Sequence, residues 1–153
     1  MDIGELAPDF DLPDQNGARH TLSGLLAAGP VVLFFYPAAL TSGCTAESCH
    51  FRDLAAEFAE VGAQRVGISA DPPDRQREFS RVNGFDYPLL SDTDGEVARA
   101  FGVRRGGLLA GLAPTRRRTF VIGTDRRVRH VVADEVRMRA HADGALRHLR
   151  GAS

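Results

Sequence analysis

The sequence predicts an α/β fold in which a mixed β-sheet lies between two layers of helices. Three observations favour this fold. Residues 31–36 form an unbroken apolar run, which is typical of a strand buried on both faces of a sheet. Strand-like and helix-like segments then alternate along the chain. Two further strand-like runs and a closing helical segment follow, so we expect an antiparallel pair within the same sheet.

Composition and charge indicate a single domain spanning residues 1–153, with no nucleic-acid or membrane partner. The apolar share of 43% and the charged share of 25% are near the averages for soluble proteins, and the formal net charge is -1. Residues 25–40, the most apolar stretch, are interrupted by one glycine and two prolines and cannot form a membrane span. The first ten residues carry three acidic side chains and no apolar core, unlike a signal peptide. We therefore expect a cytoplasmic protein.

The first half of the chain is predicted to contain a hairpin, a buried strand and a long helix. Residues 10–12 and 19–22 flank an Asn-Gly pair at 16–17, which is typical of a tight hairpin turn. After the buried strand, apolar side chains recur at helical spacing over residues 51–61, and a glycine follows. We expect one long helix that begins near Cys44 and ends before Gly62.

The second half continues the alternation and ends with a strand pair and a helix. One helix has prolines at its first turn and a glycine beyond its last. The predicted strands are residues 65–69, 87–90, 119–122 and 128–132, and the predicted helices are residues 73–82, 96–101 and 136–149. Residues 103–114 contain three glycines and no clear period, so they are predicted to form a loop.

Cys44 lies where the buried strand gives way to a helix. The strand ends at Pro37, a short loop follows, and Cys44 comes as the helix begins. Ligands of open α/β sheets bind at such strand ends. The first turn of a helix also offers unpaired N–H groups and partial positive charge, which stabilise a thiolate relative to a thiol. Cys44 is therefore a candidate nucleophile, although cysteine count alone favours an inert core residue and also allows a metal ligand.

The second cysteine, Cys49, lies five residues after Cys44, and this spacing constrains any disulfide between them. Within an intact helix the two Cα atoms would be about 8.6 Å apart, and the side chains would diverge by about 140°. A disulfide requires Cα atoms within about 7 Å. If these cysteines pair, the first turns of the helix must unwind during the cycle. The spacing also excludes the thioredoxin type of cysteine pair, which has two intervening residues.

The segment around Cys44 resembles the active site of the peroxiredoxins. Their pattern is Pro, three residues, Thr, two residues, Cys, and Pro37, Thr41 and Cys44 match it at each position. The longer string over residues 43–53, which includes Cys49, is similar to the bacterioferritin comigratory protein, or PrxQ, branch. Stretches similar to the same branch occur at residues 4–12, 67–71 and 90–95.

The resemblance implies a thioredoxin-like fold and a thiol peroxidase that requires no metal or other cofactor. Cys44 would be the peroxidatic nucleophile, the Thr41 hydroxyl would hydrogen-bond the peroxide, and Pro37 would shield the thiolate from water. Cys49 would resolve the sulfenic acid by forming an intramolecular disulfide, which thioredoxin or another dithiol would reduce. The expected substrates are hydrogen peroxide and organic hydroperoxides. Members of this branch are often monomers, so we expect a monomer.

The family's essential arginine lies two residues before the strand that begins here at Thr119. Counting back selects Arg117, but Arg116 and Arg118 leave the register open by one residue. A guanidinium suits the task because it stays charged and offers several fixed donors. The resemblance further implies that Glu47 orients this arginine.

Other functions remain open on the residues alone. A metal-binding module would use Cys44, Cys49 and His50, but their spacing is not that of a structural zinc site and no fourth ligand is evident. A thioredoxin-fold chaperone would survive the loss of Cys44, and a protein-disulfide oxidoreductase would reduce insulin without peroxide. Thr41 is equally suited to capping the helix. The five histidines are scattered along the sequence without an evident partner, and each is expected to be a surface or core residue.

Overall fold

A computed structural model describes residues 1–104 and 115–151. Strands β1 and β2 form an antiparallel hairpin, and five further strands form a mixed sheet in the order β5-β4-β3-β6-β7. Within this sheet β3, β4 and β5 are parallel, whereas β6 is antiparallel to both β3 and β7. The strands are β1 (Asp11–Pro13), β2 (Arg19–Thr21), β3 (Val31–Phe35), β4 (Gln64–Ser69), β5 (Leu89–Ser91), β6 (Arg118–Ile122) and β7 (Val128–Val132).

Helices cover both faces of this sheet. They are α1 (Leu22–Leu26), α2 (Ser42–Asp53), α3 (Ala55–Glu60), α4 (Pro73–Asn83), α5 (Glu96–Ala100) and α6 (Met138–Gly151). Side chains of α1 and α5 belong to one buried apolar cluster, and those of α2, α3, α4 and α6 belong to a second. The predicted α/β class, the mixed sheet with helices on both faces and the N-terminal hairpin are confirmed.

Strand β3 is the buried centre of the molecule. Each of its residues is at most 1% exposed, as the unbroken apolar run predicted. Successive side chains of a strand point to opposite faces, so Leu33 and Phe35 pack in the first cluster and Val32 and Phe34 in the second. Both faces of the sheet are thus anchored by the same five residues.

The single long helix predicted from about Cys44 to residue 61 is wrong, because this segment is divided into α2 and α3 at Leu54. Leu54 has φ -96° and ψ 21°, outside helical values. The Nη1 of Arg65, in β4, donates a 3.0 Å hydrogen bond to the carbonyl of Phe51. That carbonyl would serve the next helical turn in an unbroken helix, so a tertiary contact replaces a local one here.

Two smaller features also differ from the sequence-based expectation. Helix α1 was not predicted; it has only five residues, and the Thr21 hydroxyl caps it by accepting from the N–H of Gly24 at 3.0 Å. Strand β5 begins later than predicted. The side-chain amide of Gln15 bonds the Tyr87 carbonyl at 3.1 Å and the Leu89 N–H at 2.8 Å, so Tyr87 bonds to a side chain instead of to a strand.

Most of the loop predicted over residues 103–114 lies outside the described residues; at its edges, Arg104 and Thr115 form an isolated antiparallel bridge. None of the helices in the described ranges combines the length and the apolar character needed to cross a bilayer.

The register of β3 against β6 determines where the ends of these strands meet. Phe35, the last residue of β3, pairs with Arg118, the first residue of β6. The loop that leaves β3 therefore begins beside the residues that enter β6. Helix α2 follows that loop and packs against α6. One end of the sheet thus brings together the start of α2 and the start of β6.

Candidate active site

Cys44 lies in the first turn of α2, and its side chain is buried. The residue is 1% exposed, and Nη2 of Arg117 donates to its Sγ over 3.4 Å. A positively charged donor at this distance stabilises a thiolate relative to a thiol. A Cβ added at Gly43 would lie 3.4 Å from the same nitrogen, so the guanidinium also lies close to the main chain of the residue before Cys44.

Arg117 reaches Cys44 because of the period of two in β6. Thr119 and Val121 face the layer of α2 and α6, and Arg117, two residues before Thr119, lies on the same side. The main-chain N–H of Arg117 donates to Glu135 Oε1 at 3.1 Å, and its side chain is only 8% exposed. Arg118 points away and pairs with Glu135 at 3.0 Å. Of the three arginines that the sequence left open, Arg117 is the one in contact with Cys44.

Glu47 lies behind the guanidinium of Arg117. It is fully buried, and its Oε1 is 3.4 Å from Nη1 of Arg117. Neither carboxyl oxygen has a hydrogen-bond partner among the described residues. Burial raises the pKa of Glu47 to about 8, against the opposing effect of the Arg117 guanidinium. The carboxyl group therefore titrates near neutral pH, where the charge of this site can change.

The pKa of Arg117 is raised although its side chain is buried. Burial acts to lower its pKa, but the charges of Glu47 and Cys44 outweigh burial and raise the pKa above its ordinary value. Nε and Nη1 have no hydrogen-bond partner among the described residues. The guanidinium is thus a buried cation that contacts the sulfur of Cys44 through Nη2 and faces Glu47 through Nη1.

The AhpC/TSA family matches residues 3–131, which include Cys44, Glu47 and Arg117. The chain belongs to the AhpC/TSA family. Among relatives, peroxiredoxin Bcp of Escherichia coli is 34% identical over 152 residues, covering 98% of this chain and 96% of that protein. The resemblance to peroxiredoxins inferred from the sequence is confirmed.

Solved structures of this AhpC/TSA branch share the fold. The crystal structure of peroxidoxin BcpB from Mycobacterium tuberculosis is 59% identical, with a TM-score of 0.95 over 100% of this chain and 99% of that one. The bacterioferritin comigratory protein of Xanthomonas campestris, described with alkyl peroxide reduction activity, is 32% identical with a TM-score of 0.88, covering 99% of each chain. The thioredoxin-like fold expected from the resemblance is confirmed.

The loop before Cys44 is held in a defined shape in this AhpC/TSA protein. Thr41 occupies the N-cap position of α2, but its hydroxyl donates to the carbonyl of Ala38 at 2.8 Å and does not cap the helix. Leu40 has a φ of 66°, a left-handed conformation that is unfavourable for a leucine. The Asp71 carboxylate accepts from the N–H of Ala39 at 2.7 Å. Pro37 is half-buried at the beginning of this loop.

Cys49 lies apart from the group formed by Cys44, Glu47 and Arg117. It is in the same helix as Cys44 and both thiols are free. Its Sγ donates to Oδ1 of Asn83 at 3.6 Å, and burial raises the pKa of the Cys49 thiol. The structure thus brings together three of the predicted site residues and leaves Cys49 on another side of α2, as the five-residue spacing requires.

His141 was missed as a partner of this site by sequence reasoning. Its ring is fully buried and its Nε2 lies 3.5 Å from Oε2 of Glu47. The available signal is weak: His141 lies at helical spacing from Ala145, on the buried face of α6, which also includes Ala142 and Leu146. That spacing predicts a buried histidine but not its partner, which comes from α2. Among the described residues no group of three or more His, Cys, Asp or Glu side chains is arranged to hold a metal ion.

Proposed function

We propose that this AhpC/TSA protein is a thiol peroxidase in which Cys44 is the peroxidatic cysteine. The Cys44 thiolate attacks the distal oxygen of a hydroperoxide and breaks the O–O bond. The sulfur is oxidised to a sulfenic acid, the peroxide is reduced, and the departing oxygen takes a proton to leave as water or an alcohol. Hydrogen peroxide and organic hydroperoxides are the proposed substrates, in line with the alkyl peroxide activity described for the Xanthomonas relative.

The contact between Arg117 and Cys44 carries this proposal. A guanidinium nitrogen 3.4 Å from the sulfur favours the thiolate. We propose that this nitrogen, Nη2, and Nε, which has no hydrogen-bond partner among the described residues, donate to the peroxide oxygens. Donors fixed beforehand toward developing negative charge are a major source of catalysis in such sites. We propose that Glu47 fixes the orientation of this guanidinium, and that Arg116 and Arg118 have no part in the reaction.

Thr41 and Pro37 complete the proposed substrate site. Because the Thr41 hydroxyl donates its proton to the Ala38 carbonyl, its oxygen is free to accept, and we assign it as acceptor for the O–H of the hydroperoxide. Pro37 has no N–H and lies half-buried in the loop that follows β3, so we propose that it keeps water from the thiolate.

Cys49 is the proposed resolving cysteine. Its thiol condenses with the Cys44 sulfenic acid, forming an S–S bond and releasing water. Thioredoxin or another dithiol then reduces the disulfide, and is itself oxidised. Since both cysteines lie in α2, this step requires part of the helix to unwind. We further propose a single-domain, monomeric, cytoplasmic enzyme that uses no metal or organic cofactor.

Peroxide consumption with a thioredoxin system tests this function. Wild type should turn over peroxide, and Cys44→Ser should have none of this activity because a hydroxyl cannot replace the thiolate. Cys49→Ser should consume one equivalent and then stop in the absence of another thiol. Activity above about a tenth of wild type in Cys44→Ser would overturn the mechanism. Insulin reduction without peroxide serves as the control, since a protein-disulfide oxidoreductase would show it.

A further inference from the structure

His141, in α6, is a buried histidine at which three structural elements meet. Its Nδ1 lies 2.8 Å from the hydroxyl of Thr119 in β6. Its Nε2 lies 2.6 Å from the main-chain carbonyl of Asp134 in the segment before α6, and 3.5 Å from Oε2 of Glu47 in α2. One ring thus contacts the helix that carries Cys44, the strand next to Arg117 and the turn that leads into α6.

The hydrogen bonds assign the protons of this ring. A carbonyl oxygen only accepts, so Nε2 of His141 carries a proton and donates to Asp134. In the neutral ring Nδ1 then accepts from the Thr119 hydroxyl. Burial lowers the pKa of His141, and the nearby Arg117 lowers it further, against the opposing effect of Asp134 and Glu135. The ring is therefore neutral at pH 7 and acts through hydrogen bonds and shape.

Two of the three contacts of His141 fix the main chain around Arg117. Thr119 is two residues after Arg117 on the same face of the strand, so holding its side chain holds that face against α6. Asp134 directly precedes Glu135, whose carboxylate accepts from the main-chain N–H of Arg117 at 3.1 Å.

The third contact of His141 fixes the carboxyl group that faces the guanidinium. Glu47 lies between His141 and Arg117, 3.5 Å from the ring and 3.4 Å from Nη1. Neither oxygen of Glu47 has a hydrogen-bond partner among the described residues, so its position depends on these two neighbours and on its packing. Removal of the ring would leave space on the side of Glu47 away from Arg117.

We propose that His141 is a positioning residue for the peroxide reaction, which holds Glu47, Thr119 and the turn at residues 134–135 so that the Arg117 guanidinium stays against the Cys44 sulfur. This inference rests on the thiol-peroxidase function proposed above. The titratable and charged groups that face His141 are Glu47 from α2, Arg117 directly before β6, and Asp134 and Glu135 from the segment before α6. Its effect on the reaction therefore passes through Arg117.

The test uses the full chain in a Cys49→Ser background, so that only the reaction of Cys44 is followed. The rate of its oxidation by hydrogen peroxide and the rate of its alkylation by iodoacetamide are measured against pH, together with the thermal unfolding midpoint. His141→Phe should slow the peroxide reaction by about tenfold or more and move both pH profiles to higher pH. His141→Gln, which keeps a donor toward the Asp134 carbonyl, should recover to within about threefold of the reference.

His148→Phe is the matched control, because His148 lies on the same helix but stacks on His130 at a centroid distance of 4.8 Å. It should stay within about twofold of the reference. A merely structural His141 would lower the unfolding midpoint and leave the rates and pH profiles of folded His141→Phe unchanged, and that result overturns the proposal. If His141→Phe does not fold, the rate of the peroxide reaction in Thr119→Val, which removes the hydroxyl that contacts His141, tests the proposal instead. A loss of more than about threefold supports the proposal, and any smaller effect overturns it.

The same measurements distinguish a failure of the proposed thiol-peroxidase function from a failure of the proposal for His141. If the Cys49→Ser reference itself does not react with peroxide, the thiol-peroxidase function is wrong. The alkylation profiles of Cys44, which need no peroxide, then still show whether His141 positions Arg117.

Discussion

The buried hydroxyl of Tyr87 donates a 2.6 Å hydrogen bond to the main-chain carbonyl of Ser48, the residue directly before Cys49. The same part of α2 is held from other directions. Cys49 contacts Asn83, and Nε2 of His50 lies 2.7 Å from Oδ1 of Asp143 in α6. The middle of α2 is therefore attached to the rest of the protein through side chains, and a disulfide between the two cysteines requires some of these attachments to open.

Tyr87→Phe should accelerate formation of the disulfide after peroxide is added. The substitution removes one buried hydrogen bond that stabilises the helical form of α2, worth about 1 kcal/mol, so the unwound form should rise by about fivefold. The rate is measured by quenching with acid and counting free thiols by mass spectrometry. Tyr36→Phe is the control, since it also removes a buried tyrosine hydroxyl, which bonds Gln76 in α4 instead of a carbonyl of α2. Equal rates in wild type and Tyr87→Phe would show that this bond is intact in the state that forms the disulfide.

Hydrogen exchange should distinguish the reduced protein from the oxidised protein over residues 44–49. In the reduced protein these residues are helical. The oxidised protein cannot keep them so, because about 8.6 Å between Cα atoms of an intact helix exceeds the reach of a disulfide. Amides in this segment should therefore exchange faster after oxidation, whereas those of β3 should remain protected. Unchanged exchange with a confirmed Cys44–Cys49 disulfide would contradict the predicted unwinding.

Arg117→Met should slow the reaction of Cys44 with peroxide by about a hundredfold or more, because it removes the donors aimed at the sulfur and the substrate. The neighbouring arginines provide matched controls. Arg116 is exposed and Arg118 pairs with Glu135, so the corresponding methionine variants should stay within about threefold of wild type. Single-turnover kinetics with the reduced proteins gives these rates. A large loss in Arg116→Met or Arg118→Met, with little change in Arg117→Met, would show that Arg117 is not the catalytic arginine.

Glu47→Gln should change how the stability of the reduced protein depends on pH. Burial raises the pKa of Glu47 from 4.5 to about 8, so between these values the folded state binds more protons than the unfolded state. The contribution of Glu47 to stability is therefore fully present below pH 4.5 and is lost as pH rises through about 8. Relative to Glu47→Gln, wild type should lose up to a few kcal/mol of unfolding free energy across this range.

Urea unfolding of both reduced proteins at several pH values measures this difference, and groups that titrate in both proteins cancel in it. Parallel curves between pH 5 and 8 would show that Glu47 is ionised throughout and that Arg117 outweighs burial.

The strands and helices were predictable where the residues themselves determine them. The apolar run 31–36 located the buried strand, and Gly84, with a φ of 65°, ended α4 where the sequence placed its end. The break at Leu54 was not predictable, because it depends on a hydrogen bond from Arg65 to the carbonyl of Phe51 that forms only in the folded protein. Local periodicity contains no information about such a contact.

The candidate active site likewise has one part that the sequence predicts and another that depends on tertiary contacts. Cys44 at the start of a helix follows from the order of strand, loop and helix in the sequence. The contact between Arg117 and Cys44 depends on which face of β6 meets α2, and a run of three arginines does not contain this information. The partner of His141 lies 94 positions before it in the chain, on another helix, so only the assembled sheet brings the two together.

Arg117 lies 73 residues after Cys44, and this separation has a consequence for the protein during its synthesis. At about 5–20 residues per second, the ribosome needs roughly 4 to 15 s to translate the stretch between them. During that interval the nascent chain contains the cysteine but not the cation that contacts its sulfur in the folded protein. A growing polypeptide therefore exposes only an ordinary thiol to cellular oxidants. In the proposed mechanism, rapid reaction with peroxide begins when β6 pairs with β3 and brings Arg117 to Cys44.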